Sequence, residues 1–327
     1  MLPGLSIAMM QRHLTEGTWM VIRVGVVGCG WFGRAHCRTY KTLSGVELAA
    51  VADRNKQKAL EAARDYSCRA YSSLEEMLKR EKLDAVSIAV TPQMLTRVAI
   101  EAAREGVGIL LEKPLATSLS EYEELYKVVK KAGCMLMPGF IELFNPAYRA
   151  LKNAIRCEIG ELYLLSSKRI GWNPKREVKW EVGVIHDLAI HDIYLFRDIC
   201  GEPSKISCRA GYILNSKFED IAVITMEFPS GVLGIIETNW LTPTGERTLR
   251  ATGSKGSAEV DFLAQSLDIK FRERTVKPHI RREEPLRVEL QAFVDGIRRG
   301  EADLNEEDGL SVWKILQQAI DAARERL

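Results

Sequence analysis

Apolar and polar positions alternate in two different ways along this chain. In the N-terminal part, short apolar runs are separated by stretches with helical spacing, a pattern that predicts alternating strands and helices around a parallel sheet. The predicted strands lie at 21–27, 48–52, 85–90, 107–111 and 135–137, and the predicted helices at 32–42, 56–65, 74–80, 94–105 and 120–132.

From residue 162 onward the pattern changes and short strands dominate. They are predicted at 162–170, 206–213, 221–228, 232–240, 247–252 and 257–262, with helices at 184–199, 286–299 and 308–325. Turn sequences at 229–231 and 253–256 predict hairpins, and therefore antiparallel pairs. The sequence thus predicts an α/β fold with two domains, 20–138 with a parallel sheet and 139–327 with a mostly antiparallel one.

Composition is that of a globular protein, with 46% hydrophobic and 28% charged residues. The net charge of +2 gives no general attraction to nucleic acid or membrane, and no apolar run reaches the roughly 18 to 20 residues of a membrane span. The seven cysteines form no Cys-x-x-Cys pair, which favours reduced thiols and a cytoplasmic location.

The first strand begins near Met20, so residues 1–19 are expected to be a dispensable, non-native extension.

A glycine-rich segment follows the first strand and opens a helix. It reads Gly28-Cys29-Gly30-Trp31-Phe32-Gly33. Its three glycines permit a tight turn, close approach of a pyrophosphate and close packing of helix on strand, while the helix N-terminus attracts phosphate. Asp53 ends the second strand, where a carboxylate accepts hydrogen bonds from ribose hydroxyls and repels a 2′-phosphate. This predicts NAD as cofactor, and Arg54 keeps NADP as the alternative.

Two further places carry candidate chemistry. Lys113 directly follows a parallel strand, at the edge where ligands gather in such sheets. In the segment 183–192, Asp187 and His191 are four residues apart, so on an α-helix they share one face, where the carboxylate can orient the imidazole. Taken singly, each of these residues is as well explained by an ordinary turn or a structural histidine.

Together these motifs resemble the Gfo/Idh/MocA family, the glucose–fructose oxidoreductase and inositol dehydrogenase group. The resemblance runs from about Val21 to near the end of the chain. It rests on the glycine loop, Asp53, Thr91-Pro92, Glu112-Lys113-Pro114 and the spacing of Asp187 and His191. It implies a Rossmann domain followed by an α/β domain with a large, mostly antiparallel sheet, through which members form homodimers or homotetramers.

The resemblance also implies roles for single residues. His191 is expected to take the hydroxyl proton as general base, Lys113 to stabilise charge on the reacting oxygen, and Asp187 to bind a neighbouring hydroxyl. No metal is needed. Thr91, Pro92, Glu112 and Lys113 itself join the expected cofactor site. The chain departs from the family pattern at Thr96, where a histidine is frequent, and at Tyr194, where His-Asp-Ile-Asp is frequent.

Substrate contacts are open at this stage. Asn145, Arg169, Trp172 and Arg176 are candidates to face a sugar-like small molecule, with the arginines suited to a phosphate or carboxylate, and surface charge is the competing explanation. The expected reaction is hydride transfer between the nicotinamide and a hydroxyl-bearing carbon of the substrate. The expected substrate classes are sugars, inositols and nucleotide sugars, for example UDP-N-acetylglucosamine, which would be oxidised at C3.

Three competing functions remain. A zinc site from His186, Asp187, His191 and Asp192 is disfavoured, because the two histidines diverge on a helix. A dinucleotide-binding regulator without catalysis, of which the family has an example, is disfavoured by the intact Lys113 and His191. A transfer in which the cofactor is regenerated in place is the third. His186 is expected to be only a polar neighbour.

Overall fold

The computed structural model describes residues 21–172, 182–214 and 217–324. The expected extension 1–19, the proposed start at Met20 and the candidate Arg176 lie outside the described residues. Within them, the structure has a six-stranded sheet and an eight-stranded sheet, each with its own helices.

The first sheet has the strand order β3-β2-β1-β4-β5-β6. Its strands are β1 (Ile22–Val27), β2 (Val46–Ala52), β3 (Arg69–Tyr71), β4 (Ala85–Ile88), β5 (Gly108–Glu112) and β6 (Leu136–Gly139). The helices are α1 (Trp31–Tyr40), α2 (Lys56–Tyr66), α3 (Leu74–Arg80), α4 (Pro92–Arg104) and α5 (Leu119–Ala132). The pairs β1–β2, β1–β4, β2–β3 and β4–β5 are parallel, which confirms the expected parallel sheet.

Local signals set most boundaries in this region. Asn55 and Ser73 cap α2 and α3 through their side-chain oxygens. Gly106 and Gly133 take the positive φ angles that end a helix. The short edge strand β3 was not predicted, because three half-exposed residues carry too little hydrophobic pattern to register.

The second sheet has the order β14-β13-β12-β11-β7-β10-β9-β8, and of its strand pairs only β7–β10 is parallel among the described residues. Its strands are β7 (Leu162–Ile170), β8 (Lys205–Gly211), β9 (Ile221–Glu227), β10 (Leu233–Asn239), β11 (Glu246–Gly253), β12 (Ser257–Asp261), β13 (Ser266–Lys270) and β14 (Thr275–Val276). The remaining helices are a 3₁₀ turn (Ile141–Phe144), α6 (Pro146–Cys157), a π-helical turn (Ile185–Ala189), α7 (Ile190–Cys200), α8 (Pro285–Arg299) and α9 (Glu306–Arg324). The expected mostly antiparallel sheet is confirmed.

Several elements of this region differ from the sequence prediction. The helix predicted at 184–199 begins with the π-helical turn and becomes α-helical only at Ile190. Helix α6 and strands β13 and β14 were missed. For β13 the signal was present, because Leu267 and Ile269 alternate with polar residues and are buried.

The described chain falls into two compact units that a single boundary at 138–139 does not describe. The first unit contains the chain up to Glu112, together with Glu124–Met137 and Leu290–Glu306. The second contains Lys113–Glu123, Pro138–Glu289 and the chain from Glu307 onward. Two segments therefore belong to the unit opposite to the one their sequence position predicts.

In the described residues, no helix has both the length and the apolar character that crossing a membrane requires. The seven cysteines are all unpaired thiols.

Candidate active site

Lys113, at the start of the second unit, contacts Asp187 directly. Its Nζ atom donates to Oδ1 of Asp187 at 2.7 Å and to the backbone oxygen of the same residue at 3.0 Å. The lysine side chain is 22% exposed and the aspartate side chain 11%. Two charged groups separated by 74 positions in the sequence are therefore held together in a largely desolvated place.

The peptide after Lys113 is anchored by a buried tryptophan. Nε1 of Trp313, on α9, donates to the backbone oxygen of Pro114 at 2.8 Å, and Trp313 is fully buried. The His186 ring lies 5.7 Å from the Trp313 ring. Trp313 thus contacts both segments that carry the ion pair, the one at Lys113 and the one at Asp187.

The π-helical turn that carries Asp187 is held at its start by Glu219. Oε1 of Glu219 accepts from the backbone N–H of Ile185 at 3.1 Å, and its carbonyl accepts from Val184 at 3.0 Å. A Cβ on Gly183 would lie about 2 Å from the Glu219 carboxylate, so a larger residue there would displace that carboxylate. π-Helical turns frequently occur at functional sites, and the wider turn replaces the α-helical spacing that the sequence predicted for Asp187 and His191.

His191 is buried and its ring is held by Tyr194. Nδ1 of His191 lies 2.8 Å from the Tyr194 hydroxyl, which also accepts from the backbone N–H of Glu142 at 3.1 Å. Phe140 stacks on the Tyr194 ring at 4.4 Å. The sequence predicted that Asp187 orients the imidazole; instead, the hydrogen bond to its ring comes from Tyr194, and Asp187 holds Lys113.

Burial lowers the pKa of His191 well below its ordinary value, and the nearby charges of Arg169, Lys113 and Arg247 lower it further. The imidazole is therefore neutral at neutral pH, the state in which it can accept a proton. Burial also lowers the pKa of His186, to about 4, with Arg324 contributing. His186 packs on Trp313, as expected of a polar neighbour.

Arg169 and Asn145 do not have the substrate-facing positions expected for them. Arg169 is 2% exposed, and its Nε and Nη1 donate to Asp192 and Glu142, each at 2.9 Å. Burial opposes its charge, but the two carboxylates outweigh burial and raise its pKa. Asn145, also 2% exposed, donates to Glu142 at 3.1 Å and caps α6. Both side chains belong to a buried polar network, in which Glu142 accepts from both and Asp192 accepts from Arg169.

The other candidates from the sequence have mixed outcomes. Trp172 is 53% exposed and remains a candidate substrate contact. Asp192, proposed for a zinc site, is fully buried against Arg169. Among the described residues, no three histidine, cysteine or carboxylate side chains cluster as metal ligands.

In the first unit, the glycine loop has the geometry that a dinucleotide needs. A Cβ on Gly28, where φ is +98°, would lie 2.3 Å from a backbone oxygen, and one on Gly33 would lie 1.7 Å from another. At Gly30 nothing lies within 4 Å, so open space faces the N-terminus of α1. Gly30 is the N-cap of α1 and makes no side-chain capping bond, which leaves the helix N-terminus to a phosphate.

Asp53 is held against the glycine loop. Its Oδ2 and Oδ1 accept from the backbone N–H groups of Cys29 and Asn55, each at 2.8 Å. Each carboxylate oxygen keeps a second lone pair that can accept from a ribose hydroxyl. The residues present therefore fit a bound dinucleotide.

The remaining cofactor candidates divide into exposed and buried. Trp31 is 78% exposed, and Phe32 stacks on it at 5.6 Å. Arg54 and Thr91 are exposed, and Pro92 begins α4. Glu112 departs from expectation: it is 5% exposed, and its carboxylate lies 3.1 Å from Nε2 of the fully buried His36. Its side chain faces the interior of the first unit instead of a ligand.

Comparison with known proteins identifies both parts of the chain. Residues 22–140 match the family model described as "Oxidoreductase family, NAD-binding Rossmann fold", and residues 148–259 match the "GFO/IDH/MocA C-terminal domain". The scyllo-inositol 2-dehydrogenase (NAD(+)) of Bacillus subtilis is 30% identical over 302 residues, 86% of this chain and 88% of that protein.

A second relative is also known as a structure. The UDP-N-acetylglucosamine 3-dehydrogenase of Acidithiobacillus ferrooxidans is 30% identical over 260 residues, 79% of this chain and 80% of that protein. Its crystal structure superposes with a TM-score of 0.85 at 27% identity, covering 94% of this chain and 99% of that one. The chain therefore belongs to the GFO/IDH/MocA family of oxidoreductases with an NAD-binding Rossmann fold.

Proposed function

We propose that this chain oxidises a hydroxyl-bearing carbon of a sugar, inositol or nucleotide sugar with NAD⁺ as hydride acceptor. The contact between Lys113 and Asp187, with a neutral His191 in the same unit, is the observation that carries this proposal. It combines a positive charge for the reacting oxygen with a group able to take the hydroxyl proton.

The loop from Gly28 to Gly33 and Asp53 would hold the dinucleotide, and the bound nicotinamide supplies the hydride acceptor. Asp53 favours NAD over NADP, because a carboxylate held at this position by Cys29 and Asn55 repels a 2′-phosphate.

His191 serves as general base through Nε2. For that role its neutral ring must carry the proton on Nδ1 and donate it to the Tyr194 hydroxyl, 2.8 Å away. The hydroxyl oxygen has two lone pairs, and the backbone N–H of Glu142 uses the other. With the Nδ1 proton held by Tyr194, Nε2 is left able to accept the substrate proton.

Lys113 stabilises the negative charge that develops on the substrate oxygen as the proton leaves. Its ammonium is fixed by both the carboxylate and the carbonyl of Asp187, so little reorganisation is needed during the reaction. Asp187 keeps this charge in place, and its carboxylate remains the candidate to accept from a neighbouring substrate hydroxyl.

The open face of the second sheet supports self-association. Leu233 and Ile235 of β10 and Val223 of β9 are 52%, 37% and 41% exposed and lie on the same side of neighbouring strands. Apolar side chains exposed together on a sheet indicate an interface. We propose a homodimer or homotetramer through this face. The cytoplasmic location stays a prediction, which the free thiols fit.

The test is to follow NADH formation by absorbance with NAD⁺ and a panel of scyllo-inositol, myo-inositol, hexoses and UDP-N-acetylglucosamine. One class should give turnover that depends on Lys113 and His191. Tight NAD⁺ binding without turnover on any of them would instead favour a regulator that binds dinucleotide without catalysis.

A further inference from the structure

Arg247, on β11, stands directly opposite Arg169 of β7 in the antiparallel ladder. Residues in opposite positions project from the same face of a sheet. Arg169 reaches Asp192 from that face, and Asp192 directly follows His191 on α7. Arg247 therefore projects from the sheet face on which the catalytic helix packs.

Arg247 lies at the edge of the buried part of this sheet face. Leu249 and Ala251, the next residues of β11 on the same face, are fully buried, whereas Arg247 is exposed. The cross-strand partner Arg169 is buried as well. Arg247 is therefore a cation on an otherwise buried sheet face that is still in contact with solvent. A ligand can reach it from the solvent.

The cations of this region differ in their partners. Arg169 is bound by Asp192 and Glu142, and Lys113 by Asp187. For the Arg247 side chain, no carboxylate of the described residues lies within ion-pair distance. The charged groups that act on it are Arg169, Glu142, Asp187 and Asp192. Arg247 in turn is one of the charges that lower the pKa of His191.

We propose that Arg247 forms an anion subsite beside the reacting centre and that the substrate is a sugar derivative carrying a phosphate or carboxylate. This inference rests on the proposed function and narrows its substrate class. A guanidinium presents two parallel N–H donors, which match both anions. A neutral inositol would leave this guanidinium without a directly bound anion.

The test measures binding by isothermal titration calorimetry to the full chain saturated with NADH, the reduced cofactor, which cannot accept a hydride from the probe. The probes are UDP-N-acetylglucosamine for phosphate, glucuronate for carboxylate and scyllo-inositol as the neutral polyol. The variants are R247Q, R247K and the matched control R250Q, because Arg250 is exposed on the same strand and paired with Glu259 on the other face. Circular dichroism melting checks that each variant folds.

Wild type should bind at least one anionic probe more tightly than scyllo-inositol. R247Q should weaken that binding by roughly 10- to 100-fold, R247K by less, and R250Q by less than about twofold. The probe whose binding is weakened in R247Q shows whether Arg247 binds a phosphate or a carboxylate. Raised salt should weaken the same interaction.

Equal affinities in wild type and R247Q would overturn the inference, as would preference for the neutral polyol. If R247Q lost the same affinity for all three probes, Arg247 would instead serve to balance the charge of the buried carboxylates. Because binding is measured without turnover, Arg247-dependent anion binding in a protein that never reduces NAD⁺ would refute the proposed dehydrogenase and leave the subsite standing.

Discussion

The ammonium of Lys113 lies 2.7 Å from Oδ1 of Asp187, and the same ammonium also donates to the Asp187 backbone oxygen. This double contact fixes a charge at the start of the second unit, where the proposed chemistry needs it. Exchanging the lysine for methionine, which keeps the length of the chain but not the charge, should lower kcat by about 100-fold or more, as expected for losing a group that stabilises an oxyanion.

NAD⁺ binding by K113M should stay within about twofold of wild type, because the glycine loop and Asp53 are untouched. The matched control is K152M, which removes a lysine of the same unit that pairs with Asp198 at 2.7 Å. Steady-state kinetics and calorimetry measure both quantities. Wild-type turnover in K113M would remove Lys113 from the mechanism.

Tyr194 should matter through its hydroxyl. Y194F keeps the ring stacked on Phe140 and removes the acceptor for the Nδ1 proton of His191. We expect kcat/KM to fall roughly tenfold or more, because the Nδ1 proton loses the acceptor that holds the ring for proton transfer at Nε2. The acid limb of the pH profile should also move to lower pH, since the protonated ring loses a hydrogen-bond acceptor.

Y148F is the control for Y194F. Tyr148 is also a buried tyrosine of the second unit, and its hydroxyl donates to Asp198 and to the Leu195 carbonyl. It should retain near wild-type kcat/KM and an unchanged pH profile. Equal behaviour of the two variants would mean that Tyr194 acts only in packing.

Trp313 is expected to be a positioning residue for Lys113. In W313F the aromatic ring is retained, but the Pro114 carbonyl loses its donor at 2.8 Å. A buried carbonyl without a partner should lower the free energy of unfolding by about 1–3 kcal/mol. We expect kcat to fall while KM and the dissociation constant for NAD⁺ change little. W240F is the control, because among the described residues the buried Trp240 N–H has no hydrogen-bond partner to lose. A kcat equal in W313F and wild type would contradict the positioning role.

The exposed face of β9 and β10 predicts the oligomeric state. L233K places a charge on this face and should shift sedimentation velocity toward the monomer, because a charged group cannot be buried there without a partner. L60K is the matched control, since Leu60 on α2 is 48% exposed and Leu233 is 52% exposed. A monomeric wild type, or an L233K protein that sediments like wild type, would refute this interface.

Acid should destabilise the protein through its buried histidines. His186 has a pKa of about 4 in the folded chain and 6.5 as the ordinary value, so between these pH values the unfolded chain binds more protons. The free energy of unfolding should therefore fall as pH decreases from 6.5 to 4, by up to about 1.4 kcal/mol per pH unit from this residue. His191 acts in the same direction.

Denaturant melts at several pH values measure this dependence. H186Q should show a shallower slope below pH 6.5 than wild type, whereas H279Q, which alters an exposed histidine, should not. An unchanged slope in H186Q would show that His186 does not contribute to the acid sensitivity.

Much of the fold could be predicted from the sequence because its signals are local. The apolar run at 22–27, the turn that starts with Gly28 and the helix after it follow one another within a few residues, and they form as expected. Hairpin turns at 229–231 and 253–256 likewise joined antiparallel strands. The π-helical turn was missed, because it depends on Glu219, far along the chain.

The site residues were predicted less successfully than the fold. The motifs single out Lys113, Asp187 and His191 as candidates, and the structure brings Lys113 and Asp187 into contact. Arg169 was predicted to face a substrate and is instead buried in an ion-pair network, while Arg247 was not singled out. Nothing in the residue type separates the two arginines; only the carboxylates of Glu142 and Asp192, which bind Arg169, do.

The sequence by itself determined the succession of strands and helices, the nucleotide loop and the identity of the candidate catalytic groups, because these follow from hydrophobic periodicity, glycine geometry and short motifs. Only the tertiary structure decided which charges neutralise one another and which remain accessible to a ligand. The reason is physical: the pairing of Lys113 with Asp187 spans 74 residues, and the energy of a charge depends on its neighbours in space.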